Sequence, residues 1–205
     1  APASFRLSGQ EESDLRWIAY DTMTSTSYMV MPDTLSNYDW AKSDSAFWRL
    51  QVDAQVAGGQ LITEKEVDNA GSKGREILMR KNGSGNVVFR VRILLNGDKV
   101  YKLFVAGTRE FVYQPNINKF FDGFRFGSVA SGQQFHLESK ASALIRDLDA
   151  VDSTTRVNAY TKLEAAPFLN SDLQLLHDAV FKTYRYPYGS DTAMSVNYGI
   201  SDRIV

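Results

Sequence analysis

The stretch from Arg75 to Val105 constrains the fold more than any other part of the chain. Three β-prone runs, Arg75–Arg80, Val87–Leu95 and Lys99–Val105, are separated only by Asn82-Gly83-Ser84-Gly85-Asn86 and Asn96-Gly97-Asp98. Both separators supply residues that tolerate positive φ, which tight hairpins require, so these strands are expected to form an antiparallel meander. A further run, Leu61–Val67, follows Gly58-Gly59 and joins the same sheet. Within the central run, Val88, Arg90 and Arg92 share one face, and Val87, Phe89, Val91, Ile93 and Leu95 share the other. That alternation predicts a sheet with one covered and one wet side.

Ahead of the meander, Leu15–Tyr20 and Thr26–Met31 are short, aromatic or branched, and joined by Asp, Thr and Ser, which reads as a hairpin. From Tyr38 to about Val56 the period changes. Trp40, Phe47, Leu50 and Ala54, with Trp48 and Val52, recur at helical spacing and predict a helix that covers the sheet. Pro115 to Phe126 predicts a short helix started by proline and stopped near Gly123, leading into a last strand.

The first domain therefore spans residues 1–127. A Gly, Ser, Ala and Gln-rich connector occupies 128–134, and an all-helical segment 135–205. There, Ala141, Leu144, Ile145 and Leu148 mark one helix, Val157, Tyr160 and Leu163 a second, and Leu173, Leu176, Ala179, Val180 and Tyr184 a third. Asp152 or Ser153 can cap the second and Asn170 or Ser171 the third, and Pro167 separates them, so the two are expected to fold back as an antiparallel pair. A last helix is expected within Asp191–Ile204. The fold class is α+β, a mainly antiparallel sheet flanked by helices with a C-terminal helical segment.

Three motifs add to this reading. Gly74-Arg75-Glu76 enters a strand, the run from Asn96 to Gly107 (Asn-Gly-Asp-Lys-Val-Tyr-Lys-Leu-Phe-Val-Ala-Gly) follows, and Asn118-Lys119-Phe120-Phe121-Asp122-Gly123-Phe124 ends a helix. In this order they resemble bacterial members of the PsbP-like superfamily, with Gly123 where serine is usual. The likeness covers about Phe5 to Gly127. It implies an antiparallel sheet flanked by helices and, mostly, non-enzymatic binding or assembly work, with no catalytic signature to carry over. The pattern Asp152–Tyr160 followed by a second helix is similar to a single HEAT-like helical hairpin.

Chemistry narrows the function by exclusion. With 23 Lys and Arg against 24 Asp and Glu the net charge is −1, so no global field draws in nucleic acid, and no apolar run approaches the roughly 18 residues needed to span a bilayer. The chain has no cysteine, which removes thiol nucleophiles, thiolate metal sites and disulfides. It begins Ala1-Pro2-Ala3 without an initiator methionine, which fits signal cleavage and artificial trimming equally well; together with the resemblance the expectation is an exported bacterial protein, periplasmic or extracellular. His136 and His177 fall in different predicted helices without zinc-ligand spacing, and Asp147, Asp149 and Asp152 lack the glycine and glutamate of a calcium loop. Gly83-Ser84-Gly85 has no Lys-Ser/Thr after it and is a hairpin turn rather than a phosphate cradle. No cofactor and no metal site is implied.

Two groups remain as binding candidates. Arg80, Arg90 and Arg92, with Lys81, read either as a solvated sheet face or as a docking patch for an acidic protein. Tyr184, Tyr186 and Tyr188 surround Arg185 and Pro187 and supply the amphipathic area that interfaces favour, or else a packed turn. The resulting expectation is a non-enzymatic interaction or assembly module whose partner is another protein. The alternative is an enzyme in which carboxylates such as Glu64, Glu66 and Glu76 meet in a cleft.

Overall fold

The computed structural model describes residues 6–8, 16–127, 135–185 and 196–204, with side chains from Arg16 onward. Its strands are β1 (Arg6–Ser8), β2 (Arg16–Asp21), β3 (Thr26–Thr34), β4 (Gly59–Asn69), β5 (Ser72–Lys81), β6 (Val87–Asn96) and β7 (Lys99–Thr108). They form one sheet in the order β1-β2-β3-β7-β6-β5-β4, and each neighbouring pair is antiparallel. Gly83 and Gly97 take φ of 78° and 65° in the two hairpin turns, a conformation that a Cβ would strain. The α+β class with a mainly antiparallel sheet is therefore the observed one.

The expectation of one wet face is corrected. Val88, Arg90, Arg92 and Leu94 of β6 are buried, and so are Val91 and Ile93 on the opposite face. The first face is covered by α2 (Pro115–Gly123) and the 3-10 turn Phe111–Tyr113, which pack Val112, Ile117 and Phe121 over Val30, Leu78, Val88, Leu94, Leu103 and Val105. Toward the other face lies α1 (Asp44–Val56), where Trp48 and Val52 are buried and the Arg75 guanidinium stands 6.0 Å from the Trp48 ring.

Helix α1 starts six residues later than the periodicity suggested. Trp40 lies in the preceding loop, 4% exposed, and Leu50 points outward at 58%. Phe124–Phe126 do not form the expected last strand. Instead the rings of Phe124 and Phe126 pack on Tyr101 at centroid distances of 5.8 and 4.9 Å, so aromatic contact replaces a ladder.

The chain divides into two compact units, residues 1–34 with 48–133, and residues 35–47 with 134–205. The second holds α3 (Ala141–Asp147), α4 (Ser153–Leu163), α5 (Leu173–Val180) and α6 (Val196–Ser201). Trp40 joins Ala141, Leu144, Leu148, Ala159, Leu163 and Leu176 in its core and meets Phe168 edge-on at 5.9 Å. Tyr38 donates to Asp147 of α3 at 2.8 Å, and Lys162 of α4 donates to Asp39 at 2.8 Å, so these bonds tie the Leu35–Phe47 segment to two helices of this unit.

Asp152 caps α4 by accepting from the Thr155 amide at 2.7 Å. Neither Asn170 nor Ser171 caps α5; Asp172 instead reaches back to the Leu169 amide at 2.8 Å and accepts from the Ser139 hydroxyl at 3.0 Å. The α4–α5 hairpin is also corrected: each of these helices packs mainly against α3 and α6, not against the other. The connector at 128–134 and residues 191–195 of the expected last helix lie outside the described residues.

Candidate binding groove

The candidate site follows from how α2 distributes its side chains. At 100° per residue, Ile117 and Phe121 point the same way, toward the sheet, and both are almost fully buried. Asn118 and Asp122 then fall on one flank, and Phe120 and Gly123 on the other, with Phe124 just beyond the helix end. Lys119 points away from the sheet and is exposed.

On the first flank lies a buried ion cluster. Glu76 of β5 stands opposite Arg92 of β6, and Leu78 opposite Arg90, so the three charged residues share one face. Arg90 directs Nε and Nη2 to Glu76 Oε1 at 3.0 and 2.9 Å, while Arg92 directs Nε and Nη2 to Oε2 at 3.0 and 2.7 Å. Lys65 reaches Oε1 at 3.1 Å. The remaining guanidinium nitrogens bind Asn118 at 2.7 Å and the Val112 carbonyl at 3.1 Å from Arg90, and Asp122 at 2.9 Å and Asn69 at 3.2 Å from Arg92. The Phe121 ring lies 4.7 and 5.0 Å from the two guanidinium carbons. Burial alone would raise the Glu76 pKa, but the Arg92 hydrogen bond and the Arg90 charge, helped by Lys65, hold it below the ordinary carboxylate value. An ionised carboxylate with both oxygens engaged holds α2 and the 3-10 turn onto the sheet; it is not free to take a proton from a substrate.

Glu64 and Glu66 project from the opposite face of the sheet, where Arg75 lies 3.7 and 2.5 Å away. The three carboxylates of the enzyme alternative are thus separated by the sheet and each is engaged by arginine.

The second flank is an open groove of about 490 Å³ lined by Trp17, Val30, Tyr101, Lys119, Phe120, Gly123 and Phe124. Register puts Trp17 opposite Val30, and Val30 opposite Leu103 two residues from Tyr101, so the floor residues come from β2, β3 and β7 on one face. Phe120 meets Tyr28 edge-on at 5.3 Å, which fixes the wall beside α2. A Cβ added at Gly123 would meet nothing within 4 Å, so the missing side chain leaves the groove open at that point. Lys119 supplies the one charge of the lining, and among the described residues it has no ion-pair partner.

No protein-family profile and no curated protein matches the chain. Among solved structures it is similar to a protein of unknown function from Pseudomonas aeruginosa, with 11% identity and a TM-score of 0.40 over 63% of this chain and 87% of that one. It is also similar to cyanobacterial PsbP from Synechocystis sp. PCC 6803, with 13% identity and a TM-score of 0.35 over 56% and 72%. A structure from Bacteroides thetaiotaomicron gives 8% identity and a TM-score of 0.29 over 86% and 62%. With every TM-score below 0.5, the functional reading rests on the groove itself.

The residues singled out in the sequence are dispersed. Arg80 is exposed at the end of β5, whereas Arg90 and Arg92 are 4% and 6% exposed inside the ion cluster. Lys81 donates to the carbonyls of Gln55 and Ala57 at 2.5 and 2.8 Å, closing the C-terminal end of α1. These four cations do not share a surface patch. Tyr184 is half-buried against the helical core and donates to the Ala179 carbonyl at 3.0 Å, while Tyr186 and Tyr188 lie outside the described residues. His136 sits in a turn rather than a helix, buried against Phe47 at 4.5 Å with Nε2 2.9 Å from Asp44, and His177 is exposed on α5. Sequence reasoning missed the groove residues, although the flank pattern of α2 carried a signal for half of them.

Proposed function

We propose that the chain is a non-enzymatic interaction module that docks another protein through the groove beside α2. The observation that carries this reading is the groove's composition: three aromatic rings of α2 and its sheet floor, plus Trp17, form a fixed apolar trough with a single charged side chain at its edge. Large aromatic surfaces on a rigid scaffold are what interface anchors use, and the volume suffices for one or two bulky side chains. The placement of Glu64, Glu66 and Glu76 on opposite faces, each engaged by arginine, favours binding over carboxylate catalysis.

The experiment uses Gly123→Phe, which fills the groove from a site with free space around it. Immobilised wild type and variant, matched for Tm, are presented with the same host lysate. A partner of the groove is retained by wild type and lost by the variant. Identical retention on both would sink the reading.

A further inference from the structure

The chemistry of the groove also specifies what its partner presents, an inference that rests on the groove being the docking element. Its floor and walls are apolar, so they select bulky apolar side chains without preference for charge. Its edge is different. Lys119 lines its rim, and among the described residues its ammonium has no ion-pair partner; the carboxylate three residues on, Asp122, is held by Arg92 at 2.9 Å on the opposite flank. At the end of α2 a second cation, Arg125, lies against the helix, donating to the carbonyls of Asp122 and Phe124. Among the described residues, no acidic side chain lines the groove. The chain carries a net charge of −1, so the positive charge that Lys119 brings to the groove is a local feature and not part of a general cationic surface.

We infer that the groove takes an acidic, apolar segment of a partner protein. A bulky aromatic or aliphatic side chain seats between Trp17, Tyr101 and Phe120, and a neighbouring aspartate or glutamate pairs with Lys119. An exposed ion pair adds little affinity by itself, so the apolar side chain supplies the hold and the carboxylate supplies orientation and selectivity.

The test measures fluorescence anisotropy of three labelled peptides on the full chain, identical in their central Phe and Leu and differing only in whether the flanking residues are Asp and Glu, Asn and Gln, or Lys. Wild type is expected to bind the acidic peptide roughly ten-fold more tightly than the lysine peptide, with the amide peptide between them and the spread narrowing at high salt. Lys119→Glu should reverse the order at unchanged Tm, since its side chain is exposed. If the amide peptide binds and Gly123→Phe abolishes that binding, yet acidic and lysine peptides bind alike or Lys119→Glu leaves their order unchanged, the charge inference fails and the groove reading stands. If no peptide binds up to millimolar concentration, or Gly123→Phe leaves binding intact, both fall.

Discussion

Arg92 directs Nε and Nη2 to a single oxygen of Glu76, at 3.0 and 2.7 Å, while Arg90 forks in the same way onto the other oxygen. One carboxylate thus anchors two guanidinium groups, each lying over the Phe121 ring of α2.

Glu76→Gln leaves both arginines buried without their counter-charge. Removing one partner of a buried ion pair costs about 3–5 kcal/mol, so the variant should show a strongly lowered denaturation midpoint in urea. Replacing Glu76, Arg90 and Arg92 together by Leu, Met and Met removes the unpaired charge as well and should recover most of that loss. A triple variant no more stable than Glu76→Gln would show that the cluster contributes more than charge balance.

The depressed pKa of Glu76 sets a pH dependence. The folded state holds fewer protons on this group than the unfolded state, so its contribution is complete above the unfolded carboxylate pKa and is lost as pH falls through the lower folded value. Wild type should therefore lose stability on acidification through and below the ordinary carboxylate range more steeply than Glu76→Gln. Parallel curves of stability against pH for the two proteins would contradict this.

Tyr38 gives the opposite sign. Burial and its hydrogen bond to Asp147 push its pKa up to about 12 from 10.0. Its contribution is present below the unfolded value and is lost as pH rises from about 10 toward 12. Absorbance at the phenolate band should show a late-titrating tyrosine component that is reduced by one residue in Tyr38→Phe.

Trp40→Ala empties a site in the helical core and should cost about 3–5 kcal/mol. Trp40→Phe should cost much less, because the buried indole Nε1 has no hydrogen-bond partner among the described residues and its loss offsets part of the lost volume. Helical circular dichroism followed through urea denaturation distinguishes the two.

The tyrosine cluster separates into two tests. Tyr184→Ser removes a half-buried ring and a hydrogen bond to Ala179, and should lower stability by about 1–3 kcal/mol. Serine at Tyr186 and Tyr188 together decides between the two readings of that pair: weakened association in sedimentation at unchanged stability marks partner contact, and lowered stability marks internal packing.

Strands β5 to β7 were readable because the turns between them are short and chemically marked. Gly74 gave no such signal, although a Cβ there would run into the Ile93 carbonyl of β6. Arg90 and Arg92 misled for a physical reason. Alternation with Phe89, Val91 and Ile93 looks like a wet face, yet two arginines can be buried when one carboxylate from the next strand serves both. Trp40 matched a helical period by spacing alone while its ring served a different core. The groove draws Trp17, Val30 and Tyr101 from three strands far apart in the chain, and no local pattern links them. Only Phe120, Gly123 and Phe124, on one flank of α2, lay close enough together to be noticed.

The helical unit borrows Leu35–Phe47 from the front of the chain, and that has a consequence for biosynthesis. Asp39 and its partner Lys162 are 123 positions apart, and Trp40 is translated well before Phe168 and the helices that enclose it. On the ribosome, Trp40 therefore remains an unhoused apolar side chain while the four strands β4 to β7 emerge after it and have the opportunity to join β1 to β3. Enclosure of Trp40 waits until α3 to α6 have been translated, and a chain terminated before them would carry Trp40 exposed, a handle for the chaperones and proteases that survey nascent proteins.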